Sequence, residues 1–63
     1  MPIIRVEMLA GRSIEQKRNL AAKLTDSFVE TCDVKKEAVS VIITEVDADN
    51  WAIGSQLVSD RGK

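Results

Sequence analysis

Few groups in this chain are suited to acid–base chemistry: its 63 residues include no histidine, no tyrosine and one cysteine. Pro2, directly behind the initiator methionine, is the best remaining candidate. A methionine ahead of so small a residue is expected to be trimmed, so that the mature chain begins with a secondary ring amine. An unperturbed α-amine titrates at about 7.7–8.0, which leaves a minority as free base at neutral pH. Burial in an apolar pocket or a nearby arginine disfavours the ammonium form, and a depression of about one unit takes only ~1.4 kcal/mol. The amine would then accept and donate protons near neutrality. Taken by itself, Pro2 reads first as a strand-end residue whose missing N–H is harmless.

The other polar groups carry less. Cys32 has no histidine to activate it and falls on an apolar helix stripe, which predicts a core position. Glu7, Glu45, Asp47 and Asp49 are carboxylates able to activate water, though turn and surface roles fit them better. Ala10-Gly11-Arg12 has one glycine and no phosphate-loop spacing. One cysteine without histidine excludes an intrachain disulfide and leaves no zinc pattern.

Composition narrows the partners. Nine basic residues against ten acidic give no net field for nucleic acid or anionic membrane. Phe28 and Trp51 are the only aromatics, too few to stack bases. No apolar run approaches the roughly 18 residues of a membrane span, and the N-terminus lacks a signal-peptide layout. The unpaired thiol fits a reducing, cytoplasmic setting.

Three elements must position these groups. Residues 2–9 are rich in β-branched side chains and predict a strand. Ser13 and Gln16 match a capping box, Glu15 suits the positive end of a helix, and Leu20, Ala21, Leu24, Phe28 and Cys32 form one stripe, predicting a helix from Ile14 to about Cys32. Residues 33–37 read as a loop or short helical turn. Residues 39–46 are nearly continuously apolar, as in a strand covered on both faces. Trp51 to Gly54 reads as a short extended piece or hairpin before a polar tail. The fold class is therefore α/β (α+β in some schemes): one βαβ unit with parallel strands, a right-handed crossover and a short C-terminal hairpin. A single domain of 63 residues is near the lower limit for folding alone. The uncovered sheet face is expected to meet another subunit.

Pro2-Ile3-Ile4, the segment from Leu9 to Lys17, and Val41-Ile42-Ile43-Thr44-Glu45 followed by Trp51-Ala52-Ile53-Gly54 together resemble the 4-oxalocrotonate tautomerase family over almost the whole chain. The resemblance implies βαβ subunits assembled as hexamers, typically trimers of dimers. It also implies an amino-terminal proline that shuttles protons in keto–enol tautomerisation of unsaturated oxo acids such as 2-hydroxymuconate. Relatives hydrate haloacrylates or decarboxylate β-keto acids with the same proline. The resemblance implies neither metal nor organic cofactor. With the resemblance added, catalysis becomes the stronger reading of Pro2.

Further roles follow from the resemblance. Arg12 stands at the family's arginine position, where a guanidinium grips carboxylate with two parallel hydrogen bonds. Trp51 stands where relatives commonly carry phenylalanine, as an apolar wall that excludes water and packs on a flat substrate; subunit packing is compatible with that role. Leu9 and Ile53 extend the lining or belong to the core. Ser40 is a departure, occupying the place of a second arginine. Losing a charge-assisted contact of roughly 1.5–3 kcal/mol costs about 10- to 150-fold in transition-state stabilisation. Arg5, Lys35 and Lys36 are candidate substitutes for that charge. Three readings stay open: a weak or differently specific tautomerase, one half of a hetero-hexamer, or a related hydration or decarboxylation. A rival of another class is a non-catalytic assembly module, because a retained Met1 turns the Pro2 nitrogen into an amide.

Overall fold

The computed structural model describes residues 1–61. In chain order it contains β1 (Ile3–Leu9), α1 (Ile14–Cys32), a 3-10 turn (Lys36–Ala38), β2 (Ser40–Val46), a second 3-10 turn (Ala48–Asn50), β3 (Ala52–Ile53), β4 (Gln56–Leu57) and a closing 3-10 turn (Val58–Asp60).

α1 begins and ends for local reasons. The Gln16 amide donates to Ser13 Oγ at 3.1 Å, and the Ser13 amide donates to Gln16 Oε1 at 2.9 Å, completing the capping box. Asp33 closes the other end in the left-handed region (φ 54°), its N–H donating to the Val29 carbonyl at 3.0 Å. Gly11, with φ +130°, turns the chain between β1 and the helix, a conformation that side-chain-bearing residues rarely adopt.

β1 and β2 are parallel and adjacent, paired from Ile3 with Ser40 to Leu9 with Val46. Alternation along each strand sorts the sheet into two faces. Ile4, Val6, Met8, Val41 and Ile43 are half-buried on the helix side, where Ile4 shares a groove with Leu24 and Phe28. The opposite face carries Ile3, Arg5, Glu7, Ile42 and Thr44, all exposed. Ile3 is 52% exposed and Ile42 39%.

Within the single chain β2 is covered on one face, leaving the other as the uncovered face expected to meet another subunit. One expectation is corrected here. Cys32 is exposed rather than in a core, because the helix stripe reaches its last residue there, and it rims the groove with Ile4, Leu24 and Phe28.

The C-terminal segment folds back as a hairpin. β3 and β4 pair antiparallel across Gly54 (φ 57°) and Ser55 (φ 68°), the two positive φ values of a primed two-residue turn. The Val58 amide donates to the Trp51 carbonyl at 2.8 Å and anchors the hairpin base.

This architecture is incomplete as a lone molecule. No described hydrophobic side chain is fully buried. The radius of gyration is 14.9 Å, against about 10.6 Å for a compact chain of this length. The accessible surface is 4952 Å², against about 4,000 Å² for a compact monomer of this mass. Each large aliphatic side chain withdrawn fully from water adds about 1.5–3 kcal/mol, and Ile3 and Ile42 retain much of that potential. Among the described residues, no helix is long and apolar enough to cross a membrane.

Candidate functional site

The residues expected to act together fall into two groups at opposite ends of the sheet. Pro2 and Ser40 form the first. They sit where β1 and β2 begin, and the Ser40 amide donates to the Pro2 carbonyl at 3.0 Å. Pro2 is half-buried, whereas Met1 is 91% exposed, so the peptide bond ahead of the proline projects from the surface. The Ser40 side chain itself is a hydroxyl, a neutral donor and acceptor without charge.

Leu9, Arg12 and Trp51 form the second group. Leu9 ends β1 opposite Val46, and Arg12 lies between Gly11 and the helix cap. Arg12 is exposed, and among the described residues its guanidinium makes no ion pair or hydrogen bond. Trp51 is half-buried and walls a groove together with Glu7, Val46, Asn50 and Ala52. Ile53 stands two residues beyond in β3, 51% exposed.

The separation follows from strand geometry. Six residue steps from Ile3 to Leu9, at about 3.3 Å each, place the ends of β1 about 20 Å apart. No side chain spans that distance, so one protomer does not unite Pro2 with Arg12 or Trp51.

The cations near the second end differ in availability. Lys17 Nζ bonds Glu45 Oε1 at 2.6 Å, tying α1 to β2. That hydrogen bond is the main cause holding the Glu45 carboxyl below its ordinary value; partial desolvation opposes it, while the Lys17 charge and the Gly11 amide reinforce it. Arg18 is paired with Glu15 on the helix surface. Arg12 therefore remains without a partner among the described residues.

Glu7 and Asn50 are groove residues that the sequence did not identify as such. The available signal was period-two alternation, which puts Glu7 on the same face as Leu9. The return of the chain that brings Trp51 beside Glu7 had no comparable signal. Among the described residues, no three His, Cys, Asp or Glu side chains converge as a metal site.

Comparison with known proteins agrees with this architecture. Residues 2–61 match the family model described as Tautomerase enzyme. The chain is 42% identical to the 2-hydroxymuconate tautomerase of Bacillus subtilis (strain 168), covering 95% of this chain and 97% of that protein. It superimposes on a 4-oxalocrotonate tautomerase isozyme from Methylibium petroleiphilum with TM-score 0.92 and 37% identity, covering 95% of this chain and 94% of the other. A heterohexamer 4-oxalocrotonate tautomerase from Chloroflexus aurantiacus J-10-fl matches with TM-score 0.92 and 36% identity, covering 97% and 98%.

Proposed function

The chain belongs to the tautomerase family, and from that premise we propose that it isomerises unsaturated 2-hydroxy and 2-oxo acids with the amine of Pro2 as its proton shuttle. Removal of Met1 frees the secondary amine. The free base takes the enol hydroxyl proton as the C=O bond forms, and the resulting ammonium returns a proton to carbon. The proton count is unchanged, so the reaction needs no redox partner. Arg12 holds a substrate carboxylate through paired hydrogen bonds. Trp51, with Leu9 and Ile53, provides an apolar wall that limits water and favours the neutral amine. Ser40 offers a neutral hydrogen bond beside Pro2.

The observation that carries this reading is the location of Pro2 at the start of β1 behind an exposed Met1, in a chain matched to the family from residue 2 onward. Because Pro2 and Arg12 lie at opposite ends of the protomer, a site using both takes them from different copies. The open sheet face fits the same arrangement, a homo-oligomer assembled as a hexamer. The single exposed thiol suits the cytoplasm.

The test is enol-to-keto conversion followed by ultraviolet absorbance, using protein whose intact mass shows Met1 removed. Substrates are 2-hydroxymuconate and the enol of phenylpyruvate. Turnover well above the buffer rate and lost in Pro2→Ala supports the mechanism; no turnover of either rejects it.

A second reading has one observation in its favour. A relative of 36% identity is a heterohexamer, and Ser40 lacks charge beside Pro2. In that reading this chain is one of two subunit types, and activity appears only when a second chain is added.

A further inference from the structure

Resting on the oligomer reading above, we propose that the open sheet face packs against the same face of a second copy turned end for end, with Arg5 of each copy paired to Glu7 of the other. β1 presents Ile3, Arg5, Glu7 and Leu9 to this face in turn, and Ile42 and Thr44 of β2 lie beside the two charges. Arg5 and Glu7 are exposed. Among the described residues neither makes an ion pair or hydrogen bond, even with the other.

The pattern of the face selects its occupant. Ile3 at 52% and Ile42 at 39% exposure call for cover. A purely apolar cover would strand one arginine and one glutamate away from water, which costs more than burying the two isoleucines contributes. The cover must therefore offer an anion and a cation about 7 Å apart in the reverse order, and this face is itself such a surface. When β1 stacks antiparallel on β1 of a second copy, with the two-fold axis level with Val6, Arg5 meets Glu7 twice. The same register sets Ile3 over Leu9 and Ile42 over Thr44. The other two-fold, with strands running parallel, stacks β1 on β2, sets Arg5 over Ile42 and Glu7 over Thr44, and pairs neither charge. Packed sheets lie about 10 Å apart, a gap that these two long side chains close from opposite sides. The contact is isologous, so both ion pairs form together.

The experiment uses two charge reversals. Arg5→Glu leaves this face with anions alone and Glu7→Arg with cations alone. Each should repel its own copies and need at least about tenfold more protein than wild type for half-assembly, read by sedimentation velocity over a dilution series. Mixed in equal amounts the two should assemble again, and native mass spectrometry should count both chains in equal number. Both reversals in one chain exchange the charges and should assemble as wild type does. Recovery in the mixture decides the matter even where a variant alone folds poorly, because it requires the opposite charges to meet. A single reversal that assembles as wild type, a mixture that stays dissociated, or a double reversal no better than the single ones each overturns the pairing. Wild type that stays monomeric at every concentration removes the oligomer reading and this inference with it; assembled wild type with indifferent variants removes the pairing alone.

Discussion

Pro2 and Arg12 bracket β1 from opposite ends, with the seven-residue strand Ile3–Leu9 between them. A site that needs both is therefore shared between copies, and the sharing has a measurable signature. Pro2→Ala and Arg12→Ala should each be nearly inactive alone. When the two are unfolded together in equal amounts and refolded, about a quarter of the sites should combine an intact proline with an intact arginine. Recovered activity near that fraction is expected. A mixture no more active than its parents would show that the two residues do not meet across copies.

The open sheet face should be the point at which assembly is most easily broken. Ile42→Lys places a charge among Ile3, Thr44 and their counterparts, and forfeits up to about 1.5–3 kcal/mol of burial per copy. Sedimentation velocity should report a shift to smaller species, with activity falling in parallel. A variant that remains fully assembled would exclude this face as an interface.

The junction between β1 and α1 should tolerate little change. Ser13→Ala removes half of the capping box and should cost about 1 kcal/mol, while Ser13→Asp retains the cap. Gly11→Ala places a Cβ at φ +130° and should cost about 1–3 kcal/mol through backbone strain. Urea denaturation of the three variants under identical protein concentration gives the ranking.

Glu45 makes stability depend on pH in a defined direction. Lys17 holds its carboxyl below the ordinary value, so its contribution is present above the unfolded-state value. It is lost as pH falls through the lower folded-state value. Glu45→Gln should be less stable than wild type at neutral pH, and the two should converge in acid below the ordinary glutamate range. The effect should be small and weaken with salt, because the pair is partly solvated. Thermal denaturation across an acid pH series tests the convergence.

The helix was legible to its ends because its signals are local. Ser13 and Gln16 mark the start, and the stripe from Leu20 to Cys32 marks the extent. β1 and β2 were legible from β-branched content, each within about a residue of its observed limits. The short C-terminal hairpin is legible as an element, but its strand limits are not, because β3 and β4 have two residues each and depend on two positive φ angles. Ser55, unlike Gly54, gives no composition cue for that conformation. Periodicity predicts Cys32 in the core, since it shows which side of a helix a residue occupies but not whether the sheet still lies beneath it. The pairing of Pro2 with Ser40, and of Trp51 with Glu7, depends on strand register and on the return of the chain, and neither is encoded in spacing alone. Likewise, the missing cover of Ile3 and Ile42 has no counterpart within one chain.

The distance between the two ends of β1 also bears on how such a protein can diversify. On the proposed reading, substitutions around Pro2 and Ser40 alter one half of a shared site, and those around Arg12 and Trp51 alter the other. After gene duplication, one copy can lose its proline and its sibling its arginine while the pair remains functional. Division of labour is thus open to this subunit from the start, and Ser40 is the kind of change that such a division tolerates.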